Sequence, residues 1–208
     1  EQEFIRARSF FDAPDYQILD GSVANAELDA QCTRDGIFEN WVKRNTQLHR
    51  IPGYRIVTIS LKATGFSPGD VTAEQLELLA GLSDTYAFGE IRSTHQQNLV
   101  LGDVQTSRLY ELWQHLQAAG LATPNIGYLT DIICCPGGDY CSLANAKSLP
   151  VAEAIQTRFD DLDYMYDLGP LELASRDVRR LVGGIAVVLD ATAPSGVGHP
   201  FGPVRHRP

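Results

Sequence analysis

The chain has 208 residues, of which 44% are hydrophobic and 21% are charged, so it can bury a core and is not a disordered tail. Its length allows one large domain or two small ones. The net charge of −9 disfavours non-specific binding to nucleic acid, because phosphate contacts need clustered cations. The sequence contains no run of about eighteen apolar residues, the length that a membrane-spanning helix needs.

Two features of the sequence bear on its origin. Glu1–Phe11 lacks the basic-then-apolar order of a signal peptide, and we expect a cytoplasmic protein. Met165 is the only methionine, so residue 1 is not a natural start. We therefore expect a processed product or a piece of a longer protein.

Residues 1–50 are polar and irregular, and we interpret them as a linker segment from a preceding domain. Within them the pattern predicts a short strand at Asp15–Ile18. It also predicts an amphipathic helix at Phe38–His49, which ends before Pro52. We find no motif in this segment that indicates chemistry.

A regular pattern begins at Gly53. Tyr54–Leu61 alternates and is rich in β-branched side chains, which is typical of a half-buried strand. Thr72 and Gln75 have the spacing of a capping box at the start of a helix, which Gly89 ends.

Two antiparallel strands are predicted next, at Glu90–Thr94 and Leu99–Leu101, followed by a turn at Gly102-Asp103. Ser107–Ala119 has the apolar stripe of a second helix. The order β-α-β-β-α is that of a ferredoxin-like half-unit, so we predict an α+β fold with this half-domain at residues 51–121. Its last strand is expected near Gly127–Ile133.

The composition changes after Leu121 and again after Leu173, which separates a loop-rich region at 122–173 from an atypical tail at 174–208. In the loop-rich region the sequence predicts a helix over Ser142–Phe159 and the start of a strand at Leu171–Leu173. The tail has five arginines and two aspartates but no Lys, Glu, Asn, Gln or Tyr.

Three of the four cysteines, Cys134, Cys135 and Cys141, lie close together, whereas Cys32 is distant. Cys135 and Cys141 flank a Pro-Gly-Gly loop that can offer thiolates and inward-facing N–H donors to an iron–sulfur cluster. Cys141 is also expected at a helix N-terminus, which favours its thiolate. Zinc binding, a redox thiol partnered by a histidine, and plain packing remain open as alternatives.

A family resemblance adds to these local arguments. It is carried by Trp41-Val42-Lys43, YRIVTISLKATG (54–65), PGDVTAEQL (68–76), FGEIRSTHQQNLVL (88–101) and DIICCPGGDYCSLANAKS (131–148), in this order. Over roughly 38–173 the chain resembles the sulfite and nitrite reductase hemoproteins. The resemblance implies siroheme and a 4Fe–4S cluster as cofactors, with 122–173 as the start of the siroheme and cluster domain.

The resemblance also implies individual site residues. Cys135 and Cys141 correspond to the first two cluster thiolates. The residues that match the R-x-T-x-x-Q-N stretch along the siroheme are Arg92, Thr94, Gln97 and Asn98. An ion pair of Arg92 with Glu90 or Asp103, and turn chemistry for the other three, remain open as alternatives. We expect Lys62 to be an exposed lysine at a strand end rather than a ligand of an anion.

The sequence departs from the family pattern in two places. A second cysteine pair is expected soon after Leu173, where this chain has Ala174, Ser175, Arg176, Asp177, Val178 and Val182. The earlier half of the family's fold, with most of the cations that hold the substrate anion, would precede residue 1. Our hypothesis is that the tail is an out-of-frame or substituted sequence that follows a genuine reductase segment. A divergent tail with an ordinary buried strand at Val182–Leu189 is the alternative.

The resemblance implies an enzyme that reduces sulfite or nitrite by six electrons, with electrons from ferredoxin or a flavoprotein subunit. A dissimilatory sulfite reductase is less favoured, because its ferredoxin insert is not found in the sequence. The alternative from another class is a non-catalytic metal-binding or scaffold module that uses Cys135 and Cys141. No nucleic-acid or membrane partner is expected.

Overall fold

The computed structural model describes residues 2, 3, 5, 14–144 and 147–160, together with the strand backbones at 172–176 and 186–190. The chain divides into two compact units, one formed by 1–63 and 69–126 and the other by 64–68 and 127–208. Within the part of the chain so described, no helix is long and apolar enough to cross a membrane.

Between residues 14 and 126, the first unit combines four α-helices with a four-stranded sheet. Its elements in chain order are α1 (Gly21–Arg34), α2 (Gly36–Asn45), β1 (Thr46–Leu48), β2 (Tyr54–Ile59), α3 (Ala73–Tyr86), β3 (Arg92–Ser93), β4 (Leu99–Gln105) and, after a 3₁₀ turn at Thr106–Arg108, α4 (Leu109–Ala118). The strand order is β1-β2-β4-β3, and all neighbouring strands are antiparallel.

The core of this unit lies on one face of the sheet. Val57 and Ile59 of β2 and Leu101 of β4 are fully buried there. The helices contribute apolar side chains at helical spacing, which include Phe38, Trp41, Leu79, Leu109, Leu112 and Leu116. Burial of this apolar surface is the main stabilising contribution to the unit.

The predicted start of α3 is confirmed in atomic detail. The Thr72 hydroxyl accepts a hydrogen bond from the backbone N–H of Gln75, and the Gln75 side chain accepts one from the N–H of Thr72. Both N–H groups would otherwise lack a partner at the helix end. The helix ends at Tyr86, three residues before the predicted stop at Gly89.

The predicted turn at Gly102-Asp103 is wrong, because both residues lie within β4. Arg55 pairs with Val104 and Val57 pairs with Leu101, so two residues of β4 stand opposite Ile56 alone. This is a β-bulge, which shares with a turn its preference for glycine. The bulge lets Leu101 and Val104 both face the core, where each is fully buried.

The structure also differs from the strand and the helix predicted within residues 1–50. The residues at 14–20 form no strand. Instead of one helix to His49, α2 begins after the cap Asp35 and ends at Asn45, and Thr46–Leu48 becomes a strand paired with β2. The Thr46 hydroxyl donates to the Val42 carbonyl as the helix ends. The fourth strand of the sheet therefore comes from before the predicted half-unit, not from Gly127–Ile133.

The second unit contains β5 (Ile133–Cys134), α5 (Leu149–Arg158), β6 (Glu172–Arg176) and β7 (Ala186–Asp190). β6 lies between the other two strands, parallel to β5 and antiparallel to β7. A small apolar cluster of Leu129, Ile132, Cys134 and Ala152 packs α5 against the end of β5. The helix predicted from Ser142 begins only at Leu149, with Pro150 in its first turn.

The capping box of α3 predicts a measurable stability difference. We expect Thr72→Ala to lower the free energy of unfolding by about 1 kcal/mol, because it removes the hydroxyl that caps the helix. Thr85→Ala is the matched control, since the Thr85 hydroxyl only bonds back to the Gly81 carbonyl within the helix. Urea unfolding measures both, and equal losses would contradict the capping role.

Candidate functional site

The cysteine loop follows β5 directly. Cys135 comes after the last residue of the strand, and a 3₁₀ turn at Gly137–Asp139 leads back to Cys141. The N–H groups of Tyr140 and Cys141 both donate to the Gly137 carbonyl, at 3.2 and 2.8 Å. Gly137 has a φ of 60°, which favours glycine at this position. Cys135 and Cys141 are therefore held at the two ends of one short turn.

The cysteines have different environments. Cys134 is buried in the apolar cluster of the second unit, so plain packing describes it. Cys135 and Cys141 are half-buried free thiols. Cys32 of α1 is also free, and burial raises the pKa of its thiol, with a further contribution from Glu39 and Asp29.

The predicted position of Cys141 at a helix N-terminus is wrong, because α5 begins eight residues later at Leu149. The helix dipole therefore does not act on this thiol. An ion pair lies in the same loop instead, with Lys147 Nζ 3.3 Å from a carboxylate oxygen of Asp139. The Lys147 side chain is 70% exposed, so the pair contributes little to stability.

The thiols of this loop can supply only part of a 4Fe–4S site, which uses four thiolate ligands. Among the residues that the structure describes, no group of three or more His, Cys, Asp or Glu side chains is arranged to hold a metal ion. Cys135 and Cys141 fit as two of the ligands, and the described residues do not fit a complete cluster.

The register of β5 and β6 bears on the missing ligands. Cys134 pairs with Ser175 in a parallel arrangement, so Cys135 and Arg176 occupy the next position along the two strands. Both strands thus end at the same edge of the sheet, where the cysteine loop begins. The second cysteine pair is expected in the sequence around and after β6, where Asp177, Val178 and Val182 lie outside the described residues.

The four residues matched to the siroheme stretch are brought together in the β3–β4 hairpin. Arg92 lies on β3, and its Nε donates to Glu90, which raises the pKa of Arg92 and lowers that of Glu90. The ion pair considered as an alternative is therefore present. Both side chains are about half exposed or more, so the pair can exchange partners.

Thr94, Gln97 and Asn98 form the turn of this hairpin. The Thr94 N–H donates to the Asn98 carbonyl, and the Asn98 N–H donates to the Thr94 hydroxyl. Gln97 adopts a φ of 59°, as the tight turn requires. The buried Asn98 side chain accepts a hydrogen bond from the N–H of Leu61, which ties the hairpin to the end of β2. A siroheme role of these residues stays a prediction.

The expectation that Lys62 is an exposed lysine at a strand end is wrong. It is fully buried, and its Nζ donates to the Gln96 carbonyl at 2.7 Å. Asn125 explains why, because it accepts from the Ser60 hydroxyl and donates to the Lys62 carbonyl, which fixes the chain beyond β2. The partners at 96 and 125 are distant in sequence, so no local pattern indicated this burial.

A second group of polar residues, which the sequence did not indicate, lies on the face of the sheet opposite the core. The Tyr16 hydroxyl donates to Asp103 Oδ1 at 2.6 Å, which raises the pKa of Tyr16 to about 12. His49 Nε2 lies 3.3 Å from the same oxygen, and its Nδ1 accepts from the N–H of Ile51. These residues line a cavity of about 460 Å³ together with Arg50 and Arg92.

Comparison with known proteins finds a family match over the part of the chain that carries β2, β3 and β4. Residues 50–119 match the family described as "Nitrite/Sulfite reductase ferredoxin-like half domain". We call this segment the half domain, after the family whose model it matches. The predicted resemblance to the sulfite and nitrite reductase family is confirmed, and so is the α+β class.

The half domain has relatives among nitrite reductases. The chloroplastic ferredoxin–nitrite reductase of Betula pendula is 28% identical over 137 residues, which are 64% of this chain and 23% of the relative. That of Zea mays is 33% identical over 43% of this chain and 17% of its own length. The ferredoxin–nitrite reductase of Synechococcus elongatus is 27% identical over 44% of this chain and 19% of its own length.

The solved structure of Mycobacterium tuberculosis NirA is 19% identical with a TM-score of 0.43, and the match covers 70% of this chain and 30% of that one. The chain spans less than a quarter of the length of the curated relatives it matches.

The hairpin of the half domain generates a prediction about the stability of the fold. We expect Asn98→Ala to lower the free energy of unfolding by about 1–3 kcal/mol, because the buried N–H of Leu61 loses its acceptor. His95→Ala in the same turn is the control and should change it by less than about 0.5 kcal/mol, since His95 is exposed. Chemical unfolding measures both, and an unchanged stability of Asn98→Ala would refute the structural role.

Proposed function

We propose that this chain is part of a siroheme-dependent reductase, in which a bound anion is reduced by six electrons at a siroheme coupled to a 4Fe–4S cluster. The half domain at 50–119 carries this proposal, since its family is named for nitrite and sulfite reductases. The free thiols of Cys135 and Cys141, held on one short turn, support it. When bound, the siroheme supplies the redox chemistry, and the protein supplies ligands and orientation.

The residues of this chain take different parts in the proposal. Cys135 and Cys141 are two cluster thiolates. Arg92 is the partner of a siroheme carboxylate, because its side chain is 62% exposed and its guanidinium needs only to exchange Glu90 for another carboxylate. Thr94, Gln97 and Asn98 shape the hairpin that presents Arg92 and contribute polar groups beside it.

The substrate and the electron donor are narrower proposals. The relatives are named ferredoxin–nitrite reductases, which supports nitrite as the anion and ferredoxin as the donor. Sulfite and a flavoprotein subunit are the other candidates that the family allows. A cytoplasmic location remains a prediction, and several of the relatives are named as chloroplastic.

We also propose that the sequence after Leu173 is what prevents this chain from forming a complete cluster. The parallel register of β5 and β6 supports the idea, because it brings the end of β6 at Arg176 next to the end of β5, which Cys135 follows. Valine occupies positions 178 and 182, and a hydrocarbon side chain cannot bind iron. The nucleotide sequence tests the out-of-frame origin, which fails if no shifted frame restores a Cys-x-x-x-Cys near 178.

Replacement of the two valines tests the cluster directly. After anaerobic reconstitution with iron and sulfide, we expect Val178→Cys/Val182→Cys to hold about four irons per chain and to absorb broadly near 400 nm, roughly as a 4Fe–4S protein does. The starting chain should retain far less iron. The matched control is Val178→Ser/Val182→Ser, which adds polarity without thiols. Equal iron in all three proteins would contradict the assignment.

A visible spectrum of the purified chain separates the reductase from its alternative. The second candidate is a non-catalytic metal-binding or scaffold module, and the observation that favours it is the incomplete ligand set among the described residues. Siroheme gives a Soret band and a red-shifted Q band. A colourless protein with stoichiometric zinc that is lost in Cys135→Ser supports the module instead.

A further inference from the structure

The outer face of the first unit's sheet carries a cavity that has a shape and charge pattern of its own. Its floor is formed by Ile56, Val100 and Gly102, which lie on the face opposite the core because they alternate along the strands with the buried Val57 and Leu101. Pro14 and Tyr16 form one wall. The volume of about 460 Å³ lies within the range of about 300–1,000 Å³ that small-molecule sites occupy.

The two carboxylates that line the cavity, Asp103 and Glu90, already interact with hydrogen-bond donors of this chain. Asp103 is buried and interacts with both the Tyr16 hydroxyl and His49 Nε2. The N–H of Ile51 donates to His49 Nδ1, which assigns the ring proton to Nε2, facing Asp103. Glu90 accepts from Nε of Arg92, so the two terminal nitrogens of that guanidinium remain for another acceptor.

Arginine side chains supply the donors that remain. Among the residues that the structure describes, none is paired with the Arg50 guanidinium, which lines the cavity beside His49. A terminal nitrogen of Arg92 lies 3.9 Å from where a Cβ at Gly102 would be, so this guanidinium extends over the glycine floor. The cavity thus joins two arginines to an apolar surface.

From this arrangement we infer that the cavity binds a small organic monoanion, a carboxylate attached to a flat apolar body. Arginine forks match the geometry of a carboxylate, and the body would cover Ile56, Val100 and Gly102. An inorganic anion would leave this apolar floor unused. A dianion is disfavoured because Glu90 and Asp103 face the same space.

This site shares Arg92 with the predicted siroheme stretch, so benzoate and siroheme would compete for the Arg92 guanidinium. It needs neither cysteine of the loop, and Arg50 is not among the residues that the family resemblance implies. Its failure and that of the reductase proposal are therefore distinguishable, since one is measured with a small carboxylate and the other with iron and a tetrapyrrole.

The test uses benzoate as the probe and the full chain, followed by NMR chemical shifts or calorimetry. We expect saturable benzoate binding, with inorganic phosphate and the neutral analogue benzamide each binding at least about fivefold more weakly. Arg50→Gln should weaken benzoate binding by about fivefold. Arg34→Gln makes the same charge change on the exposed part of α1, outside the cavity, and should leave the affinity unchanged.

Gly102→Ala offers a second variant that tests the floor rather than the charge. The added methyl group would meet nothing closer than 3.9 Å, so the fold should tolerate it while the cavity loses space for the benzoate ring. We expect weaker benzoate binding with unchanged circular dichroism.

Three results would overturn the inference. They are the absence of saturable benzoate binding, phosphate binding as tight as that of benzoate, and equal losses in Arg50→Gln and Arg34→Gln.

Discussion

The bulged pairing of β2 and β4 is the constraint on which the first unit depends. An uninterrupted register would turn either Leu101 or Val104 away from the core, because successive side chains of a strand alternate between faces. The extra residue at Gly102-Asp103 lets both face inward. It also directs Asp103 to the outer face, where Tyr16 and His49 converge on its carboxylate. One inserted residue thus places Leu101 and Val104 in the core and Asp103 among the residues that line the cavity.

A buried polar cluster at the end of β2 links the hairpin to the rest of the half domain. Ser60, Lys62, Asn98 and Asn125 are almost completely buried. Asn125 accepts from the Ser60 hydroxyl and donates to the Lys62 carbonyl, whereas Lys62 Nζ donates to the Gln96 carbonyl and the Asn98 side chain accepts from the N–H of Leu61. Buried polar groups of this kind are costly without partners, so they hold the chain in one arrangement when satisfied. The R-x-T-x-x-Q-N stretch is therefore partly a folding motif. Its Thr and Asn make the turn, and of the four matched residues Arg92 is the one that is largely exposed.

The cysteine loop depends on a different constraint, the parallel pairing of β5 with β6. Local sequence accounts for the turn between Cys135 and Cys141, since Gly137 supplies the positive φ. The strand pairing decides that the end of β6 at Arg176 lies next to the end of β5. The proposed cluster needs ligands from the cysteine loop and from the sequence after β6, and this chain has valines at the later positions.

The sequence by itself determined the elements that depend on neighbours along the chain. The capping box at Thr72, the strand at Tyr54, the apolar stripe of α4 and the family resemblance were all readable, because they rest on local spacing or on motifs in order. The tertiary structure decided the bulge at Gly102-Asp103, the conversion of Thr46–Leu48 into an edge strand, the burial of Lys62 and the convergence of Tyr16, His49 and Asp103. Each of these depends on partners that are distant in sequence, and a strand register or a buried hydrogen bond exists only once those partners meet.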